Sequence, residues 1–186
     1  MKPIAILMAN GTEECEALLV VDLLRRAAIP IHLLSIEATS AITSSHNVVI
    51  QTDARLQDSR PDDYSGVILP GGLPGTERLR AQPLVKAFVM AIAQQNGLIA
   101  AICAAPTVLA DYGLLSGQAA TCAPGFRNQL TGALVQARSV VVAENGIITA
   151  NGLGSAIPFA LTLIERCLGE AAASDIALKI CYPPEW

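Results

Sequence analysis

Cys103 is the residue of this chain best placed to act as a nucleophile. It follows the apolar run 97–102 and precedes Ala104-Ala105-Pro106, so it lies where a predicted strand turns into a predicted helix. Unpaired N–H groups and the helix dipole at such a turn favour the thiolate, which is the reactive form of cysteine. Packing is the competing interpretation, because a free cysteine is a small hydrophobic residue that is often buried.

Glu16 is the residue best placed to act as an acid. Val20, Leu23 and Ala27 follow it at helical spacing, so its carboxyl group shares the inward face of a predicted helix. Desolvation would raise the pKa of a buried carboxyl, which would stay protonated and donate a hydrogen bond to an anion such as a thiolate. Alternatively, the side chain lies close enough to the helix start to reach water. Glu13 and Glu14 are predicted to be solvated charges of the first turn.

The turn at residues 70–75 is a third candidate element, because it ends the apolar run 66–69. Gly71 and Gly72 leave backbone amides free to bind an oxyanion, although a simple turn would use the same residues. These glycines match neither a dinucleotide fingerprint nor a P-loop, so nucleotide binding is not predicted. A serine-hydrolase triad lacks its histidine, since His32 lies in a predicted strand and is interpreted as a core residue.

Apolar strands that alternate with helices position these candidates. Continuously apolar strands are typical of a parallel sheet covered on both faces, and ligands bind beyond the carboxyl ends of such strands. We predict one α/β domain over residues 1–186, with a mainly parallel sheet and an antiparallel hairpin at Asn145-Gly146. The predicted strands are residues 4–8, 31–35, 48–51, 66–69, 98–102, 139–143 and 147–150. The predicted helices are residues 13–28, with Thr12 as N-cap, and 83–95, 106–112, 156–168 and 171–180. Cys15, Cys167 and Cys181 fall in helical patterns and are predicted to pack.

Composition excludes several classes of protein. Hydrophobic residues make up 52% and charged residues 15% of the 186 residues, which excludes a disordered chain and favours self-association. The net charge of −4 predicts no binding of nucleic acid or of anionic membranes, and no apolar run is long enough to span a bilayer. The five cysteines form no CxxC pair and there are two histidines, so neither a disulfide framework nor a metal site is predicted. The N-terminus does not resemble a signal peptide, and a cytoplasmic location is expected.

Taken together, these motifs give a resemblance to a known family. The motifs are Gly-Thr-Glu-Glu-Cys-Glu-Ala at 11–17, Asp-Leu-Leu-Arg-Arg at 22–26, Leu-Pro-Gly-Gly at 69–72 and Ala-Ala-Ile-Cys-Ala-Ala-Pro at 100–106. In their order and separation the chain resembles the DJ-1/ThiJ/PfpI superfamily, and within it the small single-domain branch of DJ-1-like and YajL-like proteins. The resemblance implies a flavodoxin-like three-layer sandwich, a homodimer, and a reactive Cys103 with Glu16 as its protonated partner. It also implies that the amides of Gly71, Gly72 and Ala104 lie on the oxyanion side.

The chain departs from the family pattern around this site. Where the branch often has a histidine beside the cysteine, this sequence has Ala123, preceded by Cys122. The usual base is therefore absent, as in YajL-like proteins, and slow proton transfer is expected. In the family pattern, the partner subunit supplies an arginine near the site, and in this sequence His46 takes its place. His46 either reaches the second subunit's pocket or is a solvent-exposed loop residue. Arg26 matches an arginine of the family's first helix and is alternatively a surface charge.

The resemblance implies two functions of different classes. In the first, a glyoxalase or deglycase, Cys103 adds to the carbonyl of a glyoxal or of a glycated protein, Glu16 transfers a proton, and hydrolysis releases a hydroxy acid without metal or organic cofactor. In the second, Cys103 is oxidised to a sulfinic acid, and the homodimer is a sensor of oxidative stress or a chaperone. Peptidase activity is not expected, because Ala104 follows Cys103 where protease-like members have a histidine.

Overall fold

Strands and helices alternate along the chain in the order that the hydrophobic pattern predicts. The computed structural model describes residues 1–183. Its strands are β1 (Ile4–Met8), β2 (Ile31–Ser35), β3 (Ala41–Thr43), β4 (Val49–Gln51), β5 (Ala54–Arg55), β6 (Gly66–Leu69), β7 (Leu98–Ile102), β8 (Ala119–Ala120), β9 (Leu134–Val135), β10 (Val141–Glu144) and β11 (Ile147–Ala150). Its α-helices are α1 (Glu14–Arg26), α2 (Gly75–Ala81), α3 (Pro83–Gln94), α4 (Pro106–Asp111), α5 (Ala156–Leu168) and α6 (Glu170–Lys179).

Seven strands form the main sheet, in the order β10-β11-β7-β6-β1-β2-β5. Neighbouring strands are parallel except β10 and β11, which form an antiparallel hairpin closed by Asn145-Gly146. Both turn residues have positive φ, 48° and 83°, as a two-residue type I′ turn requires. The prediction of a mainly parallel sheet with one attached hairpin is therefore confirmed.

Alternate residues of β1 face two different layers of helices, because successive side chains of a strand point to opposite faces. Ile4, Ile6 and Met8 pack in a core cluster with residues of α1, α5 and α6. Ala5 and Leu7 pack in a second cluster with residues of α2, α3 and α4. The sheet thus lies between two helical layers in a flavodoxin-like three-layer sandwich.

The first helix begins one residue later than predicted, and its cap is a different residue. Glu13 is the N-cap of α1, and its carboxylate accepts a hydrogen bond from the Glu16 N–H at 2.6 Å. The predicted cap, Thr12, instead uses its hydroxyl to accept a hydrogen bond from the Ala9 N–H at 3.0 Å. Two adjacent residues can both cap a helix by type, and the loop geometry decides between them.

Several short elements differ from the prediction. The pattern does not predict α2, because Pro74 and Gly75 are typical of a continuing turn. The strand predicted at 48–51 begins at Val49 and pairs with β3 in a hairpin outside the main sheet. The two-residue strands β5, β8 and β9 are too short to give a periodic pattern.

Predictions of burial are wrong for three residues. His32 is exposed, and its ring packs edge to face against Tyr64, with Nδ1 3.4 Å from the Tyr64 hydroxyl oxygen. Cys15 and Cys181 are also exposed, and all five cysteines are free thiols. Among residues 1–183, no helix combines the length and the apolar character needed to cross a bilayer.

Glycines allow the loops after β1 and β6 to meet backbone to backbone. The Gly75 N–H donates to the Gly11 carbonyl oxygen at 3.2 Å, and the Glu13 N–H donates to the Gly71 carbonyl oxygen at 2.9 Å. A Cβ atom on Gly72 would lie 2.5 Å from the Gly11 carbonyl oxygen and closer still to the backbone nitrogen of Glu13. A glycine at position 72 is therefore required for the start of α1 to approach this loop.

We expect Gly72→Ala to destabilise the protein more than Gly113→Ala. Both residues have positive φ, 94° and 78°, so both variants carry the cost of about 1–2 kcal/mol for a left-handed alanine. At Gly113 nothing lies within 4 Å of the added Cβ, whereas at Gly72 the Cβ meets backbone atoms. This overlap should cost a further ~1–3 kcal/mol in the free energy of unfolding, measured by urea denaturation. Equal losses in the two variants would show that the loops can separate without cost.

Candidate active site

Cys103 lies at the turn between β7 and α4 in a left-handed backbone conformation. Its φ is 65°, a value that residues other than glycine rarely adopt. Its N–H donates to the Ala150 carbonyl oxygen at 2.9 Å, and its carbonyl oxygen accepts from the Ala123 N–H at 2.8 Å. These two hydrogen bonds hold the conformation that places the thiol beside Glu16.

Glu16 is buried beside the Cys103 sulfur, with 1% of its surface exposed. Its carboxyl group accepts a hydrogen bond from the Gly71 N–H at 3.1 Å, and it lies within reach of the Cys103 thiol, which acts on its pKa. The backbone amide of Leu153 adds a further contact. The predicted burial of Glu16 is therefore correct, and the alternative of a carboxyl group that reaches water is not.

Burial raises the pKa values of both partners. Desolvation raises the pKa of Glu16 to about 7 against the opposing hydrogen bond from Cys103, and the nearby charge of Glu13 raises it further. Desolvation, together with the charge and hydrogen bond of Glu16, raises the pKa of the Cys103 thiol to about 12. Near neutral pH the thiol and the carboxyl group therefore hold at least one proton between them, because two buried acids in contact do not both ionise.

This electrostatic environment opposes the thiolate that the helix start is expected to favour. α4 has only 6 residues, so its dipole is weak. Burial and the Glu16 carboxylate outweigh the opposing effect of the Ala104 and Gly72 amides on the thiol pKa. The thiolate is formed when the thiol gives its proton to an acceptor, and Glu16 is the acceptor in contact with it.

The three amides predicted on the oxyanion side have different roles. The Gly71 N–H is already used by Glu16, so it positions the acid and is not free for an oxyanion. The Gly72 and Ala104 amides donate toward the Cys103 sulfur, where they can stabilise negative charge. A Cβ atom on Gly71 would lie 2.5 Å from both the Cys103 Cβ and a Glu16 carboxyl oxygen. Glycine at position 71 therefore allows the acid and the thiol to meet.

Cys122 and Ala123 contribute backbone atoms and packing, with no base. Ala123 touches Cys103 through its N–H, and its methyl group cannot transfer a proton. Cys122 is fully buried in the core cluster that contains α3 and α4, and burial raises the pKa of its thiol to about 11. The Cys122 thiol is therefore closed to solvent in this structure, and its assignment as a possible pocket residue stays a prediction.

Arg26 and His46 lie outside the site formed by one chain. Arg26 is ion-paired with Asp22 at 2.7 Å on the surface, at the opposite end of α1. Ten residues of helix separate it from Glu16, a distance of about 15 Å, so Arg26 does not reach the site of its own chain, and its role as a pocket residue stays a prediction. His46 is 71% exposed, and its Nδ1 lies 3.0 Å from a Glu14 carboxylate oxygen beside the start of α1.

Glu13 and Glu14 are less solvated than predicted, since the side chain of each is only 13% exposed. Desolvation acts to raise the pKa of Glu14, but hydrogen bonds from its own backbone amide, Ser44 and His46 lower it to about 2. Carboxylate oxygens of both residues and His46 Nδ1 lie within 4.8 Å of one another, an arrangement that could ligate a metal ion. Glu13 already caps α1, and Glu14 is already paired with His46.

Sequence reasoning misses two contributors to the site. Leu153 acts through its backbone amide, which leaves no signal in the side-chain pattern. Glu13 both caps α1 and raises the pKa of Glu16, and its spacing of three residues before Glu16 was the available signal.

Comparisons with known proteins agree with this architecture. The chain matches the model of the DJ-1/PfpI family over residues 2–166. It is 35% identical to Protein dj-1beta of Drosophila melanogaster, over 97% of this chain and 98% of the fly protein. It is 28% identical to glutathione-independent glyoxalase DJR-1.2 of Caenorhabditis elegans, over 95% of this chain and 94% of that protein.

A solved structure gives the same fold. The C103A mutant of a DJ-1 superfamily protein from Salmonella typhimurium superimposes with a TM-score of 0.93 at 35% identity, covering 98% of this chain and 100% of that chain. The matching family model, the near full-length identity and the shared fold agree with one another. The chain belongs to the DJ-1/PfpI family.

Proposed function

We propose that this protein converts glyoxals, such as methylglyoxal, into 2-hydroxy acids without a cofactor, with Cys103 as nucleophile and Glu16 as proton-transfer group. The observation that carries the proposal is the placement of the Cys103 side chain beside a buried acid, Glu16, whose pKa is raised to about 7. A group with that pKa can both accept and donate a proton at neutral pH. The name of the Caenorhabditis elegans relative supports glyoxals as the substrate class.

Covalent addition is the first step of the proposed reaction. The Cys103 sulfur bonds to the aldehyde carbon while the thiol proton passes to Glu16, and Glu16 then protonates the new alkoxide to give a hemithioacetal. The Gly72 and Ala104 amides beside the sulfur stabilise the negative charge that develops there.

Isomerisation and hydrolysis complete the reaction. Glu16, again a carboxylate, removes the hydrogen from the carbon bonded to sulfur and delivers a proton to the neighbouring carbonyl carbon. The hydroxyl proton moves to the neighbouring oxygen, which leaves a thioester of the 2-hydroxy acid. Water hydrolyses this thioester, which releases the acid and restores the thiol. The overall reaction is therefore glyoxal plus water giving the 2-hydroxy acid. Because Ala123 offers no second base, Glu16 performs each proton transfer and slow turnover is expected.

Cysteine variants test the nucleophile. We expect Cys103→Ala to lower the conversion of methylglyoxal to lactate by at least about 10³-fold, since the covalent step is lost. Cys181→Ala is the matched control and should keep the parental rate, because Cys181 is exposed and follows α6, which contributes no residue to the site. Lactate formation by the purified variants is followed by proton NMR. Parental turnover in Cys103→Ala would refute the proposal.

A redox response at the same sulfur is the second candidate function. A protonated Glu16 beside Cys103 would donate a hydrogen bond to a sulfinate, which forms when two molecules of peroxide each transfer one oxygen atom to sulfur and leave as water. Peptide mass spectrometry after mild peroxide treatment separates the candidates. Two oxygens added selectively at Cys103, without glyoxal turnover, would favour the sensor, and equal oxidation of the five thiols would remove its physical basis.

The raised pKa of Glu16 predicts how Glu16→Gln changes stability with pH. Because burial raises the pKa from 4.5 to about 7, the folded state favours the protonated carboxyl, and this stabilisation is lost as the pH rises through 7. Glutamine stays neutral, so the free energy of unfolding of Glu16→Gln relative to the parent should increase between pH 5 and pH 8, by up to about 3 kcal/mol.

Urea denaturation across this pH range measures the difference. Glu165→Gln is the control, because Glu165 is exposed on α5 and its replacement removes no buried carboxyl. A difference for Glu16→Gln that stays constant or decreases with pH would mean that the fold does not favour protonated Glu16.

We also propose that the protein is a homodimer whose interface covers the entrance of the site. Three exposed apolar side chains lie on segments that carry site residues or adjoin His46: Leu18 is on α1, Val49 begins β4 after the His46 loop, and Leu153 contacts Glu16 through its amide. Exposed apolar side chains near functional residues are typical of an interaction surface. A second copy would cover them and bring His46 toward the partner's site.

A charge in this surface should separate the subunits. We expect the parent to sediment as a dimer at micromolar concentration and Val49→Glu to sediment as a monomer, because the interface would bury an unpaired carboxylate. Leu134→Glu is the control, since Leu134 is also an exposed apolar residue and lies on β9. A monomeric parent, or a dimeric Val49→Glu variant, would contradict this interface.

A further inference from the structure

We propose that Arg80 and Thr107 are positioning residues that hold the Cys103 turn in its reactive conformation. They contact neither the sulfur nor Glu16, and act through the backbone of Ala104. The inference rests on the proposed function only in taking Cys103 as the reacting group.

Arg80 of α2 uses all three guanidinium nitrogens as donors, and two of them join its helix to α4. Nη2 donates to the Thr107 hydroxyl at 2.6 Å, and Nε donates to the Asp111 carboxylate at 2.7 Å. Nη1 donates to Glu77, one turn earlier on α2. The two carboxylates outweigh the effect of burial and raise the pKa of Arg80, so the group keeps its charge. Three acceptors fix the plane of the guanidinium, which a flexible surface arginine would not maintain.

Thr107 transmits this constraint to the turn. It is fully buried, and its hydroxyl donates to the Ala104 carbonyl oxygen at 2.7 Å. Because a guanidinium has only donors, the hydroxyl must accept from Arg80 and direct its own proton to Ala104. The Thr107 N–H also donates to the same carbonyl at 3.1 Å. The direction of each hydrogen bond from Arg80 to Ala104 is therefore determined.

The turn needs this constraint because the left-handed backbone of Cys103 is strained. Such conformations cost about 1–3 kcal/mol and persist only where surrounding contacts over-determine them. Ala150 and Ala123 bond the N–H and carbonyl of Cys103 itself, whereas the carbonyl of the following residue, Ala104, is held by Thr107. The Ala104 N–H lowers the pKa of the Cys103 thiol, so a rotation of Ala104 would remove a donor that favours the thiolate.

The test is the pH profile of Cys103 alkylation by iodoacetamide, followed by peptide mass spectrometry. Thr107→Val keeps the shape of the side chain and loses both hydroxyl hydrogen bonds, while Thr107→Ser keeps both. Arg80→Met keeps the aliphatic stem and loses the guanidinium. Arg55→Met is the matched control, because Arg55 pairs with Asp58 at 2.7 Å on a different part of the surface.

We expect Thr107→Val and Arg80→Met to alkylate about tenfold more slowly at pH 8, with the profile displaced to higher pH, since small misplacements of a reacting group carry penalties of this size or larger. Thr107→Ser and Arg55→Met should stay within about twofold of the parent. A parental profile in Thr107→Val or Arg80→Met, or a Thr107→Ser variant as slow as Thr107→Val, would overturn the inference. If Thr107→Val does not fold, as judged by circular dichroism, Arg80→Met decides.

The same experiment distinguishes this inference from the proposed function. Displaced alkylation profiles together with no glyoxal turnover by the parent would refute the enzyme and leave the positioning role. Normal glyoxal turnover by the parent, together with unchanged alkylation profiles in the variants, would support the enzyme and refute the positioning role.

Discussion

The contact between the Glu16 carboxyl and the Cys103 thiol is the constraint on which the rest of the site depends. Two acids buried against each other do not both ionise, so the fold has to accommodate a shared proton. Each neighbouring group affects where that proton lies: Gly71 donates to the carboxylate, and Gly72 and Ala104 donate toward the sulfur. Burial is what makes these weak donors effective, since in water each would compete with solvent.

The order of the strands explains why these residues meet. β7, β6 and β1 are neighbours in the sheet, so the loops that follow them leave the same edge within about 10 Å of one another. Helix α1 then begins close to its own strand because the Glu13 N–H bonds to the Gly71 carbonyl in the adjacent loop. A parallel sheet therefore brings together residues that are more than fifty positions apart in the chain.

Residue types and periodicity predict the parts of this site that are set locally. The position of Cys103 after an apolar strand and the inward register of Glu16 are both properties of short segments, and the structure has them as predicted. The thiol pKa is not local, because it depends on burial and on the charge of a group from another element. The resemblance suggested Arg26 by alignment, but its distance from Glu16 follows from helix length and would have excluded it within one chain. The link from Arg80 to Thr107 joins two helices and leaves no sequence signal.

A thiol that is protonated at rest has a consequence for selectivity. An exposed thiolate would react with any electrophile, whereas Cys103 becomes nucleophilic only as its proton moves to Glu16 inside the site. The two candidate functions then differ in where that proton ends. In glyoxal conversion Glu16 passes it on to the substrate alkoxide, and the water that hydrolyses the thioester restores the thiol. After oxidation to a sulfinate, a far weaker base than a thiolate, it stays on Glu16 and donates to the sulfinate oxygen. The same buried carboxyl group thus supports turnover with a carbonyl substrate, and it would stabilise the sulfinate form of Cys103 when the reactant is peroxide.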